Sequence, residues 1–97
     1  MEQAPCSWQI SSGCRLSWIA WDDEFVFFNA QSGDTHLLDV VSGEALKNLA
    51  AAPASIEDLG RIVHLRLGLP GEVSLLTHLT TLLPKLQELG LIEPAYL

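Results

Sequence analysis

The side chains able to do chemistry are few and far apart in this 97-residue chain. Its three histidines are His36, His64 and His78, and its two cysteines are Cys6 and Cys14. A metal site needs three or four ligands at a workable spacing, and these five residues offer no such cluster. Cys6 and Cys14 do not form a Cys-x-x-Cys pair. They could in principle be joined, but the expectation is two free thiols. Acid–base or nucleophilic catalysis needs a base within hydrogen-bond reach of a partner, and no run of sequence pairs His36 with one. Phosphate-binding glycine loops of the Gly-x-Gly-x-x-Gly or Walker type are missing, as is a Ser-x-x-Lys motif. Neither an enzyme nor a cofactor or metal is expected, and His36 reads as a structural or cleft-lining side chain.

Charge narrows the partners. Twelve acids against five bases give a net charge of −7. Arg15, Lys47, Arg61, Arg66 and Lys85 are scattered rather than striped. Nucleic-acid affinity comes mainly from Lys and Arg neutralising phosphates, so nucleic acid is a poor candidate. An anionic membrane surface is disfavoured for the same reason. No apolar run approaches the ~20 residues that span a bilayer. The start, Met1-Glu2-Gln3-Ala4-Pro5, lacks the basic and apolar regions of a secretory signal, so a soluble cytoplasmic protein is expected. The length suits one domain over residues 1–97, and 48% apolar content suffices for its core.

The elements that position these residues follow from two periods. Arg15 to Trp21 alternates Leu16, Trp18 and Ala20 with Ser17, Ile19 and Trp21. Asp22-Asp23 reads as a tight turn, and Glu24 to Phe28 as a second strand. Asn29 to Gly33 is a loop, and Asp34 next to Gly33 is expected to satisfy local N–H groups with its carboxylate. Asp34 to Leu38 is a third strand, and an earlier strand near Ser7 to Ile10 has weaker support. Large apolar groups fall on both faces of this sheet. One face is core; the other is either covered by the segment around Trp8 or left as an association surface.

The period then becomes helical. Val40, Val41, Ala45, Leu46 and Leu49 lie at helical spacing behind Asp39 or Ser42 as cap. Ser55-Ile56-Glu57-Asp58 opens a second helix, which Gly68 ends. Leu69-Pro70-Gly71 is a turn. A third helix runs from about Glu72 to Leu89 with a leucine stripe, and Pro84 is expected to kink it or split it in two. Leu91-Ile92 packs back, and Glu93-Pro94 begins a tail. The expected fold is α+β and winged-helix-like: a three-stranded antiparallel meander followed by three helices.

Several of these residues resemble the PqqD-like peptide chaperones, and within them the branch called the HPr-rel-A system PqqD family. They are Trp18 and Trp21, the Ser32-Gly33-Asp34-Thr35-His36-Leu37-Leu38 run, Ala45-Leu46, Ser55 to Leu59, and Glu88-Leu89-Gly90-Leu91-Ile92-Glu93-Pro94. The likeness extends over about residues 8 to 94. Asp39 stands where the family usually has Asn, a conservative change for a helix cap, and Pro84 is a larger departure. The resemblance implies a domain of the kind that recognises ribosomally made precursor peptides. It would hold the leader peptide and present it to a modifying enzyme of the radical-SAM or kinase-like class. The peptide would add a strand beside Asp34, Thr35, His36, Leu37 and Leu38, with Leu82, Lys85, Leu86 and Leu89 opposite. The strand order agrees in kind, because the last strand of a meander leaves an edge that can template another. Two alternatives stay open. One is a winged-helix DNA-binding regulator, whose recognition helix would carry only Lys85 as a base. The other is a small interaction subunit or homodimer that uses the second sheet face.

Overall fold

The computed structural model describes residues 7–68 and 72–95, the side chains of 72–74 excepted. Cys6 and the expected turn at Leu69-Pro70-Gly71 lie outside the described residues. The order is β1 (Ser7–Ile10), β2 (Leu16–Trp21), β3 (Glu24–Asn29), β4 (Asp34–Asp39), α1 (Val40–Ala51), α2 (Ile56–Leu67), α3 (Glu72–Glu88) and β5 (Ile92–Ala95). This is an α+β arrangement whose central sheet is the antiparallel meander β2-β3-β4.

Period-2 patterning decides the sheet's two faces. Phe25, Phe27 and Asn29 point inward from β3 and are buried. Across the ladder they meet Ala20, Trp18 and Leu16 of β2, and Leu38, His36 and Asp34 of β4. The Trp18 ring lies 5.3 Å from that of Phe27, and Phe25 lies 5.9 Å from Phe27 on its other side. Helix α1 packs on this inner face. Gly43 permits the close approach, because a Cβ there would overlap the Phe25 ring. The turn between β2 and β3 uses Asp22 at φ 54, a conformation that Asp accepts more readily than most side chains.

Helices α1 and α2 start on local chemistry. The Asp39 carboxylate accepts from the Ser42 amide at 2.8 Å and caps α1, deciding between the two candidates. Ser55 Oγ accepts from the Asp58 amide at 3.1 Å and caps α2. Such caps are worth about 1 kcal/mol each. Gly68 ends α2 in the left-handed conformation at φ 63. The turn before β4 is satisfied otherwise than expected: the Asp34 amide donates to Ser32 Oγ, and the Asp34 carboxylate stands exposed.

Two further expectations are corrected, the first only in its alternative of a split. Helix α3 runs as one element through Pro84. Pro84 is exposed, so its missing donor and crowded ring face solvent. Leu79, Leu82, Leu83 and Leu86 are buried and fasten the turns before and after it to one core. The second correction concerns the tail. Ile92–Ala95 forms β5, which pairs antiparallel with β1 from Ser7↔Ala95 to Ile10↔Ile92. Leu91 and Ile92 are fully buried and hold this strand down. Trp8 also exchanges both backbone hydrogen bonds with Ala54, at 2.8 and 3.0 Å, which attaches the small sheet to the α1–α2 connection. Trp8 therefore packs on the core and does not cover the outer sheet face.

Cys14 has a free thiol and a structural place. It donates to the Gly90 carbonyl at 3.3 Å and receives the Asn29 side-chain amide at 3.4 Å. Asn29 is itself buried and accepts from the Arg15 and Gln31 amides, so this cluster joins the start of β2 to the α3–β5 corner. Among the described residues no helix is long and apolar enough to cross a membrane.

Candidate functional site

Strand β4 is an edge of the central sheet. Which of its backbone groups are free follows from one hydrogen bond, in which the Ala30 amide donates to the Arg15 carbonyl at 2.8 Å. That makes Arg15–Ala30 a bonded pair of the antiparallel ladder. Bonded and non-bonded pairs alternate along such a ladder. Phe28, Val26 and Glu24 therefore bond toward β2, while Phe25, Phe27 and Asn29 bond toward β4. On β4 the groups of Asp34, His36 and Leu38 are thereby used. Thr35 and Leu37 direct their N–H and C=O groups to the open edge.

A groove of about 290 Å³ lies beside this edge. Leu37, Leu38 and Asp39 form one wall, Ser42 of α1 closes an end, and α3 supplies the other wall. From α3 come His78, Thr81, Leu82, Lys85 and Leu86, and Leu89 follows just past its end. Their spacing of three and four places them along one stripe of the helix. Leu82 and Leu86 are buried and form an apolar floor, while His78, Thr81, Lys85 and Leu89 are exposed along the rim.

Six of the nine residues singled out in the sequence meet at this groove: Leu37, Leu38, Leu82, Lys85, Leu86 and Leu89. Asp34, Thr35 and His36 do not line it. Asp34 lies at the far end of β4, exposed. His36 points to the inner face, half-buried opposite Phe27. Thr35 points to the outer face but offers its backbone to the edge. Four lining residues went unnamed: Asp39, Ser42, His78 and Thr81. The helical period extended back from Lys85 finds His78 and Thr81. Asp39 and Ser42 become visible only once the cap of α1 is fixed.

The groove's electrostatics are simple. The Asp39 carboxylate is engaged as the α1 cap, while the Lys85 ammonium forms no ion pair among the described residues. Lys47 and Arg61 are, by contrast, paired with Glu44 and Asp58. His78 makes no hydrogen bond to an acid or nucleophile among the described residues. No three His, Cys, Asp or Glu side chains among them come together in a way that could hold a metal ion. The arrangement offers main-chain hydrogen bonds, an apolar floor and one free cation, which are the elements of peptide recognition. A second depression between α1 and α2, near Asn48, Pro53 and Arg61, has a similar volume, but its Arg61 and Asp58 satisfy each other.

The outer face of the central sheet is also left uncovered among the described residues. Ile19 and Leu37 are each 66% exposed, Trp21 is 68% exposed and Phe28 is 42% exposed.

Comparison with known proteins adds no relative: no family model, curated protein or solved structure matches the chain.

Proposed function

We propose that this chain is a non-catalytic, winged-helix-type peptide-binding domain that acts in the cytoplasm. The observation that supports this reading is the open edge of β4 running beside the apolar groove under α3. A peptide would pair with the Thr35 and Leu37 backbone and extend the meander to four strands. Because strand side chains alternate, every second peptide residue would face the Leu38–Leu82–Leu86–Leu89 side. Lys85 at the rim suits an acidic peptide side chain. In keeping with the sequence's resemblance to PqqD-like chaperones, the peptide would be the leader of a ribosomally made precursor. The domain would present it to a modifying enzyme of the radical-SAM or kinase-like class.

The test is an isotope-edited NMR titration with peptides encoded by the nearest small open reading frames. Shifts are expected at the Thr35 and Leu37 amides and at Lys85 and Leu89. The same peptides methylated on alternate backbone nitrogens should bind at least tenfold more weakly in the register that needs those donors. Equal affinity in both methylation registers would remove strand addition. The absence of shifts with any of these peptides would remove the leader-binding reading.

A further inference from the structure

The outer sheet face has an order that a mere apolar patch would not have. Its rows run across the strands, as the ladder register fixes them. At one end is Arg15, which shares the outward parity of Ser17, Ile19 and Trp21 and is exposed. Ser17, Phe28 and Thr35 come next, then the apolar row Ile19, Val26 and Leu37. Trp21, Glu24 and Asp39 follow, and the Asp22-Asp23 turn closes the far end. The face is thus positive at one end, apolar in the middle and negative at the other. Arg15 makes no ion pair among the described residues, and neither do Asp22, Asp23 and Glu24.

We propose that this face stacks on a second copy of itself, about a two-fold axis that crosses the strands at the Ile19–Val26–Leu37 row. Such an axis reverses the strand direction in the second copy. Two rows separate Arg15 from the axis, and the same step on the other side reaches the Asp22-Asp23 turn. Arg15 of each copy therefore meets the acidic turn of the other, twice per dimer, as an isologous interface requires. One row in, Trp21 of one copy comes beside Phe28 of the other. The central row meets itself, with sheets packed about 10 Å apart in the aligned manner. An axis along the strands would instead place acid on acid, which disfavours that alternative.

Size sets the strength. Three strands of six residues give a face of roughly 20 Å by 14 Å. A pair of such faces buries less than the ~1,200 Å² of a standard stable interface, so the dimer forms reversibly at high concentration. The net charge of −7 opposes approach, but at physiological salt it is screened beyond about 8 Å. Stacking takes up Leu37 and Asp39, which also wall the groove, but leaves the Thr35 and Leu37 backbone free at the β4 edge, and it does not depend on the proposed function.

The experiment is sedimentation equilibrium from micromolar to millimolar protein at physiological salt. The samples are wild type, Arg15→Glu, Asp23→Lys/Glu24→Lys, Ile19→Ser, and an equimolar mixture of the two charge variants. All four altered residues are exposed, and circular dichroism checks that each variant is folded. Wild type should pass from monomer to dimer, and each single sample of a variant should remain monomeric. The mixture should dimerise again, because in the mixed pair both ends carry opposite charges. A wild type that stays monomeric throughout would overturn the proposal. So would a dimer indifferent to Arg15→Glu, or charge variants whose mixture fails to associate.

Discussion

At the scale of single residues, Glu93 shows how a small polar contact makes the fold sensitive to acid. Its carboxylate accepts from the Ser12 amide at 3.1 Å and from the Gln9 side-chain amide at 2.9 Å. The Ser12 bond first, and the Gln9 bond second, hold its pKa below the ordinary glutamate value, against a smaller opposing effect of burial. A carboxyl whose pKa is lower in the folded state contributes stability above its unfolded value. That contribution is lost as pH falls through the folded value. Urea midpoints should therefore be higher for wild type than for Glu93→Gln near pH 7, and the gap should be smaller near pH 3. A gap of equal size at both values would show that the ionised carboxylate has no part in it. Glu93 ties β5 to β1 and to the loop that follows it.

At the scale of elements, Pro84 is the conflict that the fold tolerates. Proline in a helix interior removes one donor and crowds the preceding turn, at a cost of about 3 kcal/mol relative to alanine. Pro84→Ala should raise the stability measured by urea unfolding, by about 1–3 kcal/mol. An unchanged or lower midpoint would mean that α3 has adapted its backbone to the ring. The other elements were legible where local chemistry decides them. Alternation named β2, β3 and β4 to within a residue or two, and Ser55 and Gly68 marked the ends of α2. Strand β5 was not legible, because Glu93-Pro94 reads locally as the start of a tail. Its strand character comes from β1, a partner more than eighty residues away in sequence. Helical spacing made the leucine stripe of α3 recognisable, and the resemblance to PqqD-like chaperones placed Leu82, Lys85, Leu86 and Leu89 on one side of a groove. Of the five β4 residues named, Leu37 and Leu38 line the groove, while alternation sends Thr35 and His36 to opposite faces and Asp34 sits at the strand's remote end.

At the scale of the whole molecule, two sheets divide the labour. The central meander offers an edge and a face, and both are left open among the described residues. The β1–β5 pair offers neither to the groove; it ties the first described residues to the last. Closing so long a loop has an entropic cost that only the assembled core can offset. Folding should then run in an order: meander and helices first, clasp last. Native-state hydrogen exchange would report it, with the Gln9 and Ile10 amides opening at lower free energy than those of Phe25 and Phe27. Uniform protection across both sheets would instead mark one cooperative unit. The consequence is a molecule whose β1–β5 pair can open while the β4 edge persists, so a protease would cut in that pair before it reached the meander.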